Sequence, residues 1–434
     1  MNKIAFTNAF IIDPTQNVNS QGIVLVEKRN ITKLIFNNSE NFTDQNYKII
    51  NCKGFTLCPG FVDIKCHLRV PRDEHKENLC YASQSAASAG ITSLVCMPNT
   101  DPIIDNVSIV ELLQRKARKE SDVKIYSTAS ITKGLQGKDI TEIGLLKEAG
   151  AVGFTDAIKA VDDASVMLRV LKYASAFDVL IMQHPEEKNL SKGGSMNSGL
   201  LSTQLGIKGI PIEAEVLQVD RDIRLAEMTK SKIHFYNITT QLSIDSIKLA
   251  QKRGVKVTCS TSPHYFNLSE EDIRKWRTYA KVSPPLRDKR NMDAVKSGIV
   301  NNIISCISSD HSPHDTDSKR LPFEQASSGI IGFESLLPLT LKLIKEKKLP
   351  LSKLIELLSS NPAKLLDLNA GSLKIGKPAD IVIFNPNKNI KLSSELIKSK
   401  SKNFPYENIN AKGKVILTMV DGKIVYNARS FNFK

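Results

Sequence analysis

The sequence lacks the features of a membrane or disulfide-stabilised protein. No apolar run in its 434 residues approaches the ~20 residues that a membrane helix needs. The seven cysteines lie far apart, with no CxxC pair and no dense framework, and several stand in apolar runs where a thiol acts as a small hydrophobe. We therefore expect a reduced, cytoplasmic protein with no membrane contact.

A stacking platform for nucleic acid is also absent. The formal net charge is +15, but the lysines are scattered and no aromatic residues interleave with them. Net charge bears on solubility and non-specific binding before it bears on function. A nucleic-acid-binding role would rest on net charge alone, and we expect no nucleic-acid partner.

Alternating strand and helix patterns dominate the middle of the chain. Short apolar, β-rich segments are separated by helical spacing, and the strand candidates are 61–66, 91–96, 123–128, 151–155, 179–183, 232–238, 255–260 and 303–308. Eight βα units in an α/β chain predict a closed (β/α)8 barrel of the TIM type over residues 56–364. Residues 1–55 and 365–434 return to short strands, which predicts a small β-sandwich built by both chain ends.

Polar residues follow these strand candidates with unusual regularity. In a (β/α)8 barrel the C-terminal strand ends converge on one mouth, and catalytic residues come from several of them. The residues at such places are His67, Asn99, Asp156, His184, Asn237 and Asp310. Six at matching places predict a functional centre at the mouth.

Four of these side chains are candidate metal ligands. Imidazole and carboxylate suit a zinc-type ion, which lowers the pKa of bound water to about 7. The candidates are His67, Asp156, His184 and Asp310. Structural alternatives stay open: a buried histidine is often a hydrogen-bonded core residue, Asp156 could cap the next helix, and Asn99 could be a turn residue.

Ten short segments carry a resemblance to the dihydroorotases of the cyclic amidohydrolase superfamily. They occur in the same order and span nearly the whole chain, at 59–63 (PGFVD), 67–69 (HLR), 74–77, 97–100 (MPNT), 150–156 (GAVGFTD), 284–287 (PPLR), 310–314 (DHSPH), 329–334 (GIIGFE), 361–364 (NPAK) and 376–380 (GKPAD). The resemblance implies interconversion of dihydroorotate and N-carbamoyl-aspartate by metal-bound hydroxide. It implies a proton-transferring role for Asp310 and a carboxylate grip by Arg69, Asn99 and His314, with the arginine fork suited to a carboxylate.

The sequence departs from the family pattern at both metal positions. The family expects His-x-His on the first strand, where this chain has Lys65-Cys66-His67, and a second histidine three residues after His234, where it has Asn237. Arg72 and Ser283 replace an expected glycine and asparagine. Protonated lysine has no lone pair for a metal. We expect one zinc ion at most and little turnover.

The sequence is compatible with two hypotheses about function. One is a weakly active or non-catalytic homologue that serves as a structural partner, with aspartate carbamoyltransferase as the candidate. The other is an active enzyme that uses one metal ion and the small-molecule substrate, which retention of Arg69, Asn99 and His314 favours. In both we expect a homo-oligomer.

Overall fold

The computed structural model describes residues 3–36 and 42–428, apart from the side chain of Trp276. The strands of these residues are β1 Lys3–Asp13, β2 Val18–Glu27, β3 Asn30–Phe36, β4 Lys48–Asn51, β5 Thr56–Pro59, β6 Phe61–Cys66, β7 Ile91–Cys96, β8 Lys124–Ala129, β9 Ala151–Phe154, β10 Leu180–Gln183, β11 Met196–Asn197, β12 Gly209–Ile210, β13 Lys232–Phe235, β14 Val257–Thr261, β15 Cys306–Ile307, β16 Ile381–Leu392, β17 Ile409–Val420 and β18 Lys423–Asn427.

The helices lie mainly between the barrel strands. They are α1 Leu79–Ser88, α2 Val107–Glu120, α3 Ile143–Glu148, α4 Ala164–Ala176, α5 Lys188–Ser191, α6 Leu200–Leu205, α7 Glu213–Thr229, α8 Gln241–Lys252, α9 Pro263–Asn267, α10 Asp272–Trp276, α11 Lys289–Val300, α12 Thr316–Arg320, α13 Phe333–Glu346, α14 Leu351–Ile355 and α15 Asn361–Leu365. A π-helical turn, Glu356–Ser360, joins the last two.

Eight parallel strands form the barrel, in the order β6-β7-β8-β9-β10-β13-β14-β15. Every residue of β6 and β7 is buried, as expected for parallel strands covered by helices on one side and packed core on the other. The ring is closed by a parallel bridge between Cys66 and His311, and the amide of His67 donates to the carbonyl of His311 at 2.8 Å. The mouth therefore contains the residues just after β6 and β15.

Side-chain caps fix where several of the outer helices begin. Each capping residue has extended backbone angles, and its side-chain oxygen accepts an amide hydrogen from the first turn, which satisfies a donor that the helix leaves unpaired. These residues are Asn78, Asn106, Asp163, Thr240 and Asp288.

Both chain ends build the second β unit. Its eight-stranded sheet runs β18-β17-β16-β5-β1-β2-β3, with β4 paired to β1. The C-terminal part of the chain joins this sheet beside the N-terminal part, because β16 pairs antiparallel with β5. A separate apolar core lies under this sheet, and Phe384 of β16 packs on Phe61 of the barrel with ring centroids 6.3 Å apart.

The α/β barrel and the β unit from the chain ends are confirmed. The last barrel strand is shorter than the predicted 303–308, because only Cys306 and Ile307 remain in the ladder before the backbone turns at Asp310, which has a φ of 52°. Residues 1–2, 37–41 and 429–434 of the predicted β-sandwich segments lie outside the described residues.

Candidate active site at the mouth of the barrel

A buried ion pair stands at the centre of the mouth. Lys65 Nζ, on β6, lies 2.9 Å from Oδ1 of Asp310, and the two side chains are 1% and 8% exposed. The ammonium also lies 5.7 Å from the ring centroid of Tyr236, within the range of a cation–π contact. The lysine at the first metal position is therefore turned into the mouth and binds the carboxylate predicted to transfer the proton.

The second oxygen of Asp310 faces Asn237 and His264. Nδ2 of Asn237 donates to Oδ2 at 2.8 Å, and Nε2 of His264 approaches the same atom at 3.5 Å. Ser262 donates to the side-chain oxygen of Asn237 at 2.9 Å, which fixes the amide with its nitrogen towards Asp310. Both positions that lack the family histidine thus hold a hydrogen-bond donor aimed at one carboxylate.

The electrostatics of Asp310 follow from these neighbours. Burial alone would raise its pKa, but the adjacent Lys65 ammonium and the His264 hydrogen bond lower the pKa below the usual range of an aspartate. The carboxylate is therefore ionised, and its charge is balanced by Lys65.

Unusual backbone angles aim several mouth side chains. Arg69, Asn237 and Asp310 have φ values of 60°, 48° and 52°. Asparagine and aspartate tolerate this left-handed region better than most residues, but non-glycine residues rarely occupy it. Such conformations cluster at functional sites, where the surrounding structure holds them in place.

Asp156 is engaged by the loop that follows β8. Its Oδ1 accepts from the amides of Ile131 and Thr132 at 2.8 and 3.0 Å, and its Oδ2 accepts from the hydroxyl of Thr132. Burial raises the pKa of Asp156, and the Thr132 bonds oppose that rise. Asp156, a candidate metal ligand, therefore accepts three hydrogen bonds from the loop after the neighbouring strand β8.

The two candidate histidine ligands contact polar neighbours. Nδ1 of His67 donates to Oδ1 of Asn99 at 2.9 Å, and Nε2 of His184 lies 3.2 Å from the hydroxyl of Ser283. Burial and the positive charge of Lys65 lower the pKa of His184 to about 3. Burial, followed by Arg69, holds the pKa of His67 well below its usual value. Both rings are neutral.

Arg69 and His314 lie together on another side of the mouth. Arg69 donates to the carbonyl of Pro313 at 3.1 Å and to the hydroxyl of Ser312 at 2.9 Å, and its Nη2 lies 3.2 Å from Nε2 of His314. Burial and the Arg69 charge lower the pKa of His314 to about 3. Asn99 is directed to His67 instead, so the three predicted carboxylate contacts fall into two groups.

The donor set does not fit a divalent metal ion. Lys65 occupies one oxygen of Asp310, Asn237 presents an N–H rather than an oxygen to the other, and Asp156 already accepts three hydrogen bonds from the loop after β8. Within residues 3–36 and 42–428, no group of three or more His, Cys, Asp or Glu side chains is arranged to hold a metal.

The sequence does not predict His264 as a site residue, and it assigns no role to Asp63, which alternates with Lys65 and His67 on the first strand. His264 stands in α9, directly after β14, so its place after a barrel strand was the available signal. Asp63 accepts from the amide of Ser309 at 3.0 Å and from its hydroxyl, which ties β6 to the segment carrying Asp310. Gly332 is needed there, because a Cβ at this position would lie 2.1 Å from the carbonyl oxygen of Ser309.

Two family models match the chain. The first, described as dihydro-orotase-like, covers residues 54–243, and the second, described as an amidohydrolase family, covers residues 290–426. A dihydroorotase of Acetivibrio thermocellus is 43% identical over 416 residues, which are 96% of this chain and 97% of that protein. A dihydroorotase of Aquifex aeolicus is 40% identical over 98% of this chain and all (100%) of that protein.

Solved structures share the fold at lower identity. The L-hydantoinase (dihydropyrimidinase) of Arthrobacter aurescens superposes with a TM-score of 0.87 at 22% identity, over 98% of this chain and 96% of that one. The dihydropyrimidinase of Brevibacillus agri superposes with a TM-score of 0.85 at 20% identity, over 99% of this chain and 96% of that one. Both similarities concern architecture alone.

Proposed function

Because this chain belongs to the dihydroorotase family, we propose that it serves pyrimidine biosynthesis as a homologue with weak or no turnover, acting as a structural partner of aspartate carbamoyltransferase. The single observation that carries the proposal is the ion pair between Lys65 and Asp310. A partner role requires the fold and its surface, and it does not require the metal.

The Lys65 ammonium takes the electrostatic place of a metal ion. At ~4 Å and an effective dielectric of ~20, two unit charges interact by about 4 kcal/mol, and a divalent ion doubles that repulsion of a lysine. The ammonium already neutralises Asp310 at 2.9 Å. Binding a metal at Asp310 would require breaking this pair and losing a proton from Lys65.

Proton transfer through Asp310 is also impeded. A general base needs hydrogen-bond reach to the proton that it takes. Here Lys65 faces one oxygen, and Asn237 and His264 face the other. The carboxylate is thus held by the chain itself, which supports a centre that is structural.

The residues that are predicted to bind the substrate carboxylate favour a second candidate function. This candidate is an active enzyme with one zinc held by some combination of His67, Asp156, His184 and Asp310. Arg69 remains beside His314. In the described part of the chain, the buried Nδ1 atoms of His184 and His314 have no hydrogen-bond partner. Both nitrogens are therefore free to form a hydrogen bond with a small molecule that enters the mouth.

Metal content and turnover separate the two candidates. The protein is purified from zinc-supplemented medium, its zinc is quantified by plasma mass spectrometry, and the cyclisation of N-carbamoyl-aspartate is assayed. We expect far less than one zinc per chain and little or no turnover. Stoichiometric zinc with clear turnover would establish the active enzyme instead.

The partner role is tested with purified aspartate carbamoyltransferase from the same organism. We expect a complex on size-exclusion chromatography with light scattering, and the same run reports whether this chain forms the homo-oligomer that we propose. Two separate peaks across the concentration range would contradict the partner role.

All seven cysteines are free, which supports action in the reducing cytoplasm.

A further inference from the structure

A groove with an unusual charge lies between α10 and α12, outside the centre described above. Its volume is about 1000 Å³, and thirteen of the described residues line it. At the chain's average of 60 basic and 45 acidic residues in 434, thirteen residues would include about two basic and one acidic. These thirteen instead include no acidic residue and five basic ones, namely Arg274, Lys275, Arg277, Lys319 and Arg320.

Three other large cavities are lined by acidic as well as basic residues. The cavity beside α13 is lined by Glu334 and Glu395 as well as lysines, and the one beside β8 includes Asp122 and Asp421. The cavity near β10 includes Asp178. The excess of positive charge in the groove is therefore a local feature and does not simply reflect the net charge of the chain.

Two arginines of the groove have exposed side chains with no ionic partner among the described residues. The side chains of Arg277 and Arg320 form neither an ion pair nor a hydrogen bond in that part of the chain. They come from two different elements, the turn after α10 and the end of α12. Arg274 differs, because it is paired with Glu271 at 3.1 Å and Gln204 at 2.7 Å.

Apolar side chains line the rest of the groove. They make the surface amphipathic, since a bound chain would bury them while its acids met the arginines, and they are Leu205, Ile207, Ile273, Leu321 and Phe323. Leu205 and Leu321 are 39% and 45% exposed, so this apolar surface is open to solvent. A purely ionic ligand such as phosphate would leave it uncovered.

Buried lysines hold the groove in one shape. Lys319 Nζ donates to the carbonyls of Ser327 and Gly329 at 2.8 and 3.1 Å, and the hydroxyl of Thr278 donates to the carbonyl of Lys319 at 2.6 Å. Lys281 Nζ donates to the carbonyl of Phe323 at 2.7 Å. These bonds join the two walls, and a preformed groove loses little entropy on binding.

We propose that this groove is a docking site for an acidic, partly apolar segment of a partner protein, which rests on and deepens the partner role proposed above. Charge complementarity argues for the acids, and the exposed leucines argue for apolar residues between them. The volume suits a few residues of a peptide.

A labelled peptide tests the proposal directly. The probe is a fluorescein-labelled peptide that alternates glutamate with leucine, and its binding to the full chain is followed by fluorescence anisotropy. We expect saturable binding that weakens as salt is raised, because screening shortens the reach of exposed charges. The same peptide with glutamine for glutamate should bind at least about tenfold more weakly.

Charge reversal in the groove is compared with charge reversal elsewhere. Arg277→Glu with Arg320→Glu should weaken peptide binding at least about tenfold, whereas Lys172→Glu with Lys248→Glu, on the exposed faces of α4 and α8, should leave it within about twofold. Circular dichroism checks that both variants fold, and Arg320→Gln supplies a milder change with an intermediate loss. Equal losses in the two double variants would overturn the groove.

Two anionic probes, pyrophosphate and a short DNA duplex, and the carbamoyltransferase complete the design. Binding of either probe by the full chain, without binding of the labelled peptide, would overturn the peptide proposal. If the charge-reversed chain still binds aspartate carbamoyltransferase, the groove proposal fails while the partner role stands. If the native groove binds the peptide but the chain does not bind that enzyme, the groove stands and the proposed function fails.

Discussion

Lys65 and Asp310 are nearly 250 positions apart in the chain, yet their charged atoms lie 2.9 Å apart in a place that solvent scarcely reaches. The pair joins the first barrel strand to the segment after the last one. It therefore acts together with the Cys66–His311 bridge at the seam where the barrel closes. The stability of the barrel where it closes therefore depends on the charges of Lys65 and Asp310.

Removing one partner of this pair should destabilise the protein. Lys65→Met leaves Asp310 buried and uncompensated, and breaking a buried pair in this way costs about 3–5 kcal/mol. We expect the free energy of unfolding, measured in urea, to fall by about that amount.

Removing both partners should cost less than the sum of the single changes. Lys65→Met with Asp310→Leu eliminates both charges, and apolar replacement of a buried pair is often near neutral. The double-mutant cycle should show coupling of about 0.5–3 kcal/mol. Additive effects would show that the pair contributes nothing to stability.

Restoring imidazole at both metal positions should restore zinc binding. Lys65→His with Asn237→His removes the ammonium and the N–H donor that face Asp310. We expect bound zinc by mass spectrometry and a rise in Tm on adding zinc chloride, since a ligand of the native state stabilises it.

The matched control for zinc binding is Lys65→Gln with Asn237→Gln, which removes the same side chains without adding ligands. It should take up no more zinc than the native chain. If the histidine variant binds zinc without turnover, the defect extends to Ser283, which contacts His184 at 3.2 Å. Arg72, which replaces the glycine expected in the family, is exposed and pairs with Asp101 at 3.1 Å.

Gly332→Ala should destabilise the segment that carries Asp310. The added Cβ would lie 2.1 Å from the carbonyl oxygen of Ser309, which is backbone and cannot rotate away. Overpacking of this kind costs about 1–3 kcal/mol. Gly199→Ala is the control, because its nearest neighbour would be 3.9 Å away, and equal losses in both variants would contradict the steric argument.

The buried Lys319 should make stability depend on pH. Burial, aided by Lys281, lowers the pKa of Lys319 to about 7 from 10.5. Between these two values the unfolded chain holds a proton that the native chain has released, so this group makes the free energy of unfolding rise with pH. Below pH 7 both states are protonated and the slope vanishes.

Lys319→Met should remove that slope. The difference in unfolding free energy between native and variant chains should shift in favour of the native chain as the pH rises from about 7 to 10. Urea titrations at a series of pH values measure it. A difference that is constant or falls over this window would show that Lys319 stays charged in the fold.

The periodic pattern was sufficient to predict the barrel, because eight buried strands and their helices leave alternating apolar segments in the sequence. It placed Lys65 and Asn237 at the mouth for the same reason. It did not reveal that both would meet Asp310, since contacts between strands far apart in the chain depend on backbone angles such as the positive φ of Asn237.

Two other site features depended on tertiary contacts. The engagement of Asp156 comes from amides of Ile131 and Thr132, which are donors in any sequence and leave no pattern. His264 belongs to no spaced motif in the chain, and only the short helix after β14 brings it within 3.5 Å of Asp310.

The pairing of β16 with β5 has a consequence for synthesis on the ribosome. Strand β5 pairs with β1 on one side, while its partner on the other side emerges more than 300 residues later. Until Ile381–Leu392 leaves the exit tunnel, β5 presents an unpaired edge, which is a template for association with other chains. The barrel segments are complete before that edge is covered, so the newly made protein passes through a stage in which a finished barrel carries a half-built sheet.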